Sequence, residues 1–151
     1  MPKPNDQTYR DMIVQELDAS MLVEAGAGSG KTTSLVDRML ALIGAGKCTV
    51  DKMAAVTFTR KAAAELKGRF QIALEDIFRQ ETDEEKKARY QTALSELNLL
   101  FTGTIHSFCA RLLRERPVEA RIDPDFEELE EEENAILRDQ CWAEYTEGLV
   151  C

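Results

Sequence analysis

Met21-Leu22-Val23-Glu24-Ala25-Gly26-Ala27-Gly28-Ser29-Gly30-Lys31-Thr32-Thr33 sets a short apolar run directly against a glycine-rich turn ending in Gly-Lys-Thr. The run 21–25 reads as a buried strand feeding a loop. Beyond the loop, Leu35, Met39 and Leu42 recur at helical spacing, and Gly44 and Gly46 stop that helix. Between strand and helix, residues 25–32 fit the phosphate-loop pattern G-x-x-x-x-G-K-[ST], with Ala25 in place of the first glycine. The chemistry needs each residue type. Glycines allow torsions that turn successive N–H groups onto one anion, and the helix opening at Gly30-Lys31 aims its positive end at the same point. Lys31 is placed to reach the β and γ phosphates and the Thr32 hydroxyl to ligate Mg²⁺. The competing reading, a glycine turn beside a chance Gly-Lys-Thr, leaves the flanking strand and helix without a reason. Ala25, Gly26, Ala27, Gly28, Ser29, Gly30, Lys31, Thr32 and Thr33 are the candidate nucleotide-binding residues.

The same alternation continues. Residues 54–59 read as a second strand, and Leu66, Phe70, Ala73 and Ile77 mark one face of a second helix. Thr82 with Glu85 fits a capping box opening a third helix, with Tyr90, Ala93, Leu94 and Leu97 on one side. Residues 101–105 are a third strand candidate, followed by a helix over 106–115 that ends before Pro117 and carries Phe108, Leu112 and Leu113 inward. A short strand over 126–129 and a last helix over 131–149, with Leu137, Cys141 and Tyr145 facing the core, complete the pattern. Strands alternating with helices imply crossover connections and a parallel sheet flanked by helices, an α/β fold.

Composition fits one soluble domain. The chain has 151 residues, 44% of them hydrophobic and 31% charged, which is large enough for its own core and too apolar for disorder. No run approaches the roughly 18 apolar residues of a membrane span, and no signal-peptide core follows the N-terminus, so a cytoplasmic location is expected. Cys48, Cys109, Cys141 and Cys151 have no C-x-x-C pair or zinc spacing and read as idle thiols. The net charge of −9 argues at face value against nucleic acid, but residues 123–147 hold eleven acids and one base. The rest carries 18 bases and 17 acids, neutral enough to present a local basic groove. The acidic run 130–133 reads as a helix's first turn, where the macrodipole favours it.

Three blocks, MLVEAGAGSGKTTSLVDRML, AAVTFTRKAAAELKGRF and FTGTIHSFCARLLRERP, closely resemble the first conserved motifs of superfamily 1 DNA helicases of the UvrD/Rep type. Thr-Ile-His-Ser-Phe-Cys followed by Leu-Leu-Arg-Glu-Arg-Pro looks most like the branch containing the RecB and AddA helicase–nuclease subunits. The resemblance implies a P-loop NTPase (RecA-like) fold, with residues 1–130 forming part of a first helicase lobe, incomplete here, and residues 131–151 beginning an inserted helical subdomain. It implies ATP and Mg²⁺ as cofactors, Lys31 as catalytic cation, single-stranded DNA as partner and a helicase–nuclease partner subunit for the longer protein. Thr57, Phe58, Thr59, Arg60 and Lys61 then become DNA contacts. Hydroxyls at a helix start suit a phosphate, an aromatic can stack on a base, and basic side chains neutralise the backbone; on chemistry alone, the preferred reading is Phe58 as core and the bases as solvated. Thr104, His106 and Ser107 likewise become DNA-backbone contacts, although His106, the single histidine, would otherwise read as a helix-capping or surface residue. The family's adenine-reading glutamine matches either Gln7, 19 residues before Gly26, or a position nearer Arg10.

One part of such a motor is absent from the sequence. An acidic pair ending an apolar strand is needed for Mg²⁺ and the attacking water, and 126–129, broken by two glutamates, does not supply it. The chain therefore reads as the N-terminal piece of a longer ATP-dependent helicase or translocase of DNA repair or recombination, inactive in hydrolysis by itself. Two other classes compete: a stand-alone nucleotide-binding module that does not hydrolyse, and a small-molecule P-loop kinase, in which the second and third blocks would have no reason to recur.

Overall fold

Ala54–Thr57 (β1) and Phe101–Thr104 (β2) form a two-stranded parallel ladder in the computed structural model, which describes residues 6–26, 28–129 and 131–148. The register sets Ala54 against Phe101 and Thr57 against Thr104, so both strands end at the same edge. Three helices precede or link them: α1 (Gln7–Gln15), α2 (Lys31–Gly44) and α3 (Arg60–Gln80). A fourth, α4 (Glu84–Ser95), leads through a 3-10 turn, Leu97–Leu99, into β2. The chain divides into two compact units that meet in sequence between Ile105 and His106.

The first unit holds the core, and helical spacing dictates who enters it. α2 buries Val36, Met39, Leu40 and Ile43 at steps of three, four and seven, and α3 buries Ala63, Leu66, Phe70 and Leu74. Tyr90 and Ala93 from α4, with Val50, Met53, Ala55 and Leu100, close the cluster. Phe70, Leu74 and Val50 are the most deeply enclosed, and each such side chain contributes roughly 1.5–3 kcal/mol by leaving water. α2 stops in a Schellman turn. The Lys47 N–H donates to Leu42 O at 2.9 Å and the Gly46 N–H to Ile43 O at 2.9 Å, with Gly46 supplying the required φ of 68°.

Three expectations for this unit need correction. Residues 21–25 form no regular element and lie outside the ladder, and Leu22 and Val23 are exposed. A strand exists through its neighbours' hydrogen bonds, and β1 and β2 bond only each other among the described residues. The second strand ends at Thr57 instead of residue 59, because Thr59 turns to cap α3. The cap of α4 is Asp83, not Thr82. Asp83 Oδ1 accepts from the Glu85 and Lys86 N–H groups at 3.0 and 3.1 Å, while the Thr82 and Asp83 amides donate to Glu81 Oε1.

The second unit comprises most of α5 (Ile105–Glu115), a short α6 (Pro117–Ala120) and α7 (Glu131–Gly148). Pro117 begins α6 at a position where its missing N–H costs nothing. No strand forms over 126–129. There, Arg114 holds the segment by stacking 4.8 Å from the Phe126 ring centroid and pairing with Glu128 at 3.1 Å. Leu112 and Leu113 are exposed, as are Leu137, Cys141 and Tyr145, which the sequence reading placed inward. Ile136, Leu137, Trp142 and Tyr145 are spread around α7, so no single face of it can be buried. No helix among the described residues is long and apolar enough to cross a membrane.

Candidate functional site

The loop before α2 turns on glycine. Gly28 and Gly30 take φ values of 77° and 89°, in the left-handed region that L side chains disfavour. Gly30 is the N-cap of α2 and has no side chain to cap it, so among the described residues no side chain takes the first-turn amides, an arrangement that suits an outside acceptor. Ser29 folds back on Gly26, whose carbonyl accepts from the Ser29 N–H at 3.3 Å and the Ser29 hydroxyl at 2.7 Å. The Lys31 ammonium crosses the loop to donate to the Ala25 carbonyl. Thr32 is half-buried and Thr33 exposed in the first turn of α2. Ala27 lies outside the described residues. Two left-handed glycines, a helix start without a side-chain cap and a spanning ammonium fit a chain of phosphates. Thr32, in the first turn of α2, carries a hydroxyl of the kind that could ligate a divalent cation.

Two arginines hold α1, one to this loop and one to α2. Arg10 Nη2 donates to the Ser29 carbonyl at 2.8 Å and to Asp6 Oδ2 at 2.8 Å, with Nε on the same carboxylate at 3.1 Å. The hydrogen bond from Arg10 holds the Asp6 carboxyl below its usual range. Arg38 of α2 donates to the carbonyls of Ile13, Glu16 and Ala19 at 2.6, 3.2 and 2.8 Å, the first in the last turn of α1 and the others in the segment after it, while Met12 and Gln15 accept from the Glu16 and Leu17 N–H groups. Gln7 donates to Asp11 at 2.7 Å. Gln7 and Arg10 line a cavity of about 440 Å³ with Ser34 and Asp37, and Lys31, Ser34, Leu35 and Arg38 line another of about 580 Å³. Burial pushes the Asp37 carboxyl up. The Arg10–Ser29 and Arg38–α1 contacts escaped the sequence reading. Only the i, i+4 spacing of Asp6 and Arg10 hinted at either, since carbonyl acceptors leave no residue-type signature.

The second group gathers at the strand ends. Thr57 closes β1, and its hydroxyl donates to the Thr59 carbonyl at 2.9 Å. Thr59 Oγ1 accepts the Ala62 N–H at 3.1 Å as the N-cap of α3. Between them Phe58 is 99% exposed, which settles the choice between core and surface for that ring. Arg60 and Lys61 open α3 and are exposed. Thr104 stands opposite Thr57 across the ladder. His106 and Ser107 are exposed in the first turn of α5, within the second unit. Among the described residues no group of three or more His, Cys, Asp or Glu side chains could hold a metal ion.

Comparison with known proteins adds a family. The family described as UvrD/REP helicase N-terminal domain matches residues 6–148. The ATP-dependent helicase/nuclease subunit of the AddA type from Ligilactobacillus salivarius is 38% identical over 89% of this chain and 11% of its own length. Its counterpart from Listeria monocytogenes serotype 4a, of the same name, is 38% identical over 99% of this chain and 12% of its own. The one from Enterococcus faecalis is 33% identical over 93% and 11%. The chain thus spans little more than a tenth of the length of these relatives.

Proposed function

The chain belongs to the UvrD/REP helicase family, and from that premise we propose that it is the ATP-binding N-terminal portion of a DNA helicase or translocase serving repair or recombination in the cytoplasm. The observation that carries this reading is the loop at Gly28–Lys31. Its left-handed glycines and uncapped helix start leave amides for an anion, and Lys31 already spans the loop. ATP with Mg²⁺ supplies the hydrolysable anhydride when bound. Residues 25–33 would hold its phosphates, the Lys31 ammonium, now on the Ala25 carbonyl, would be available to the phosphate oxygens, and the Thr32 hydroxyl would be available to the cation. The surrounding lobe is RecA-like, and the inserted helical subdomain begins near residue 131.

Single-stranded DNA is held at the strand ends. Phe58 stacks on a base, Arg60 and Lys61 neutralise phosphates, and the hydroxyls of Thr57, Thr59 and Thr104 take backbone oxygens. In the second unit, His106 and Ser107 serve as backbone contacts of their own. In the longer protein a second lobe closes on the nucleotide, a partner subunit completes a helicase–nuclease, and each hydrolysis moves the strand past these contacts. The test is calorimetric titration of Mg·ATPγS and MgADP, with Lys31→Ala beside the unaltered chain. A loss of tenfold or more, about 1.4 kcal/mol, in the variant is expected. Equal affinity in both proteins overturns the reading.

A further inference from the structure

Arg10 stands where a base-reading residue of the candidate nucleotide site would be sought, yet its guanidinium is spent on the loop. Nη2 donates to the Ser29 carbonyl at 2.8 Å. Asp6 steers it there. Asp6 is the N-cap of α1, the position where a carboxylate ordinarily accepts first-turn N–H groups, but its side chain makes no such bond and instead takes Arg10 Nε and Nη2 at 3.1 and 2.8 Å. The Ser29–Gly30 peptide is planar and trans, so its carbonyl and its N–H point in opposite directions. With the carbonyl fixed on α1, the Gly30 N–H is turned away from α1. Gly30 also eases the approach. A Cβ there would sit 3.3 Å from Arg10 Nη1, a tight contact that the guanidinium would have to yield to by a few tenths of an ångström.

We propose that Arg10 is a positioning residue, held by Asp6, which orients the Ser29–Gly30 peptide so that the Gly30 N–H faces the bound phosphate. This rests on the phosphate-loop reading above. It assigns Arg10 to the phosphates through the backbone and not to the base, so its removal weakens every polyphosphate alike.

The experiment titrates Mg·ATPγS, Mg·GTPγS and inorganic tripolyphosphate into the unaltered chain, Arg10→Ala, Asp6→Asn and Lys31→Ala, with the Gly30 amide followed by ¹⁵N–¹H correlation spectra. Arg10→Ala is expected to lose about tenfold for all three probes, the scale of one charge-assisted hydrogen bond. It is also expected to shift the Gly30 cross-peak while those of Phe70 and Leu74 stay in place. Asp6→Asn is expected to reproduce both effects in weaker form. A loss confined to ATPγS, with tripolyphosphate unaffected, makes Arg10 a base reader and overturns the proposal. So does loss in Lys31→Ala with none in Arg10→Ala, or an unmoved Gly30 cross-peak. Equal binding by the unaltered chain and Lys31→Ala instead overturns the phosphate-loop reading itself.

Discussion

Thr57 and Thr104 stand directly opposite each other, each the last residue of its strand in the parallel β1–β2 ladder. The strands run the same way, so the segments following them leave from one edge, where open α/β sheets collect their ligands. Phe58, next after Thr57, is 99% exposed, an arrangement that gains nothing for folding. Phe58→Ala is expected to leave the thermal midpoint unchanged and to weaken oligo-dT binding about tenfold, within the range of one lost base–aromatic stack. Fluorescence anisotropy with a labelled oligonucleotide reads the second effect and circular dichroism the first. A fall in the midpoint would return Phe58 to a structural role.

The Tyr90 ring stands against the bare Cα of Gly44. A Cβ on Gly44 would come within 3.0 Å of Tyr90 Cζ and closer still to the phenol oxygen. Tyr90 is only 3% exposed and has no room to retreat. Gly44→Ala, which would favour an open helix, is therefore expected to destabilise the chain by about 1–3 kcal/mol through overpacking. Tyr90→Phe removes the nearest atom, so the double variant is expected to recover part of the loss. Urea unfolding of the four proteins in a cycle measures it, and additive effects would show that the two residues do not meet.

How much of this was legible in the sequence follows from where each signal resides. The helices were readable because spacing is a local property, and Leu66 and Phe70 are buried on the face it marks; on α2 the stripe through Leu35, Met39 and Leu42 shares only Met39 with the buried set Val36, Met39, Leu40 and Ile43, and Leu35 is exposed. The loop was readable because glycine takes the left-handed torsions found at Gly28 and Gly30 at least cost. The run 21–25 misled, since apolar residues announce a wish for burial and say nothing about which ladder will accept them. Leu137 and Tyr145 misled likewise, as a stripe of two or three residues on α7 does not create the surface that would cover it. The strand-end residues were placed by resemblance, and chemistry alone favoured a buried Phe58, whereas the ring is exposed.

The cap of α4 separates two neighbouring residues that sequence reasoning could not. Asp83→Ala is expected to lower the thermal midpoint by a few degrees and Thr82→Ala to leave it nearly unchanged, because only Asp83 accepts helix N–H groups. The backbone hydrogen bond from Lys86 is the main cause holding the Asp83 carboxyl below its ordinary value. A group whose folded-state pKa is depressed stabilises the fold fully above its unfolded pKa, about 3.9 for aspartate. That contribution is lost as pH falls through the folded-state value. Thermal scans at acidic pH are thus expected to converge for the unaltered chain and Asp83→Ala, and to diverge near neutrality. A constant gap across that range would remove the cap from the account.

Arg38 is expected to govern whether α1 stays docked. It donates to three carbonyls at and beyond the end of α1 and lies 3.7 Å from Met21 Sδ, so one side chain joins α1, the segment after it and α2. No apolar layer of comparable size does this work, since Ile13 is the one buried residue of α1. Replacing Arg38 by alanine leaves those carbonyls to water and frees the helix without touching Phe70 or Leu74. Hydrogen exchange over residues 7–21 is expected to accelerate about tenfold or more, as in a local opening, with exchange in α3 unchanged. Arg38→Lys is expected to resemble alanine, because a single ammonium cannot match a fork of donors aimed at separate carbonyls. Uniform acceleration across α1 and α3 together would instead mean that Arg38 supports the whole fold.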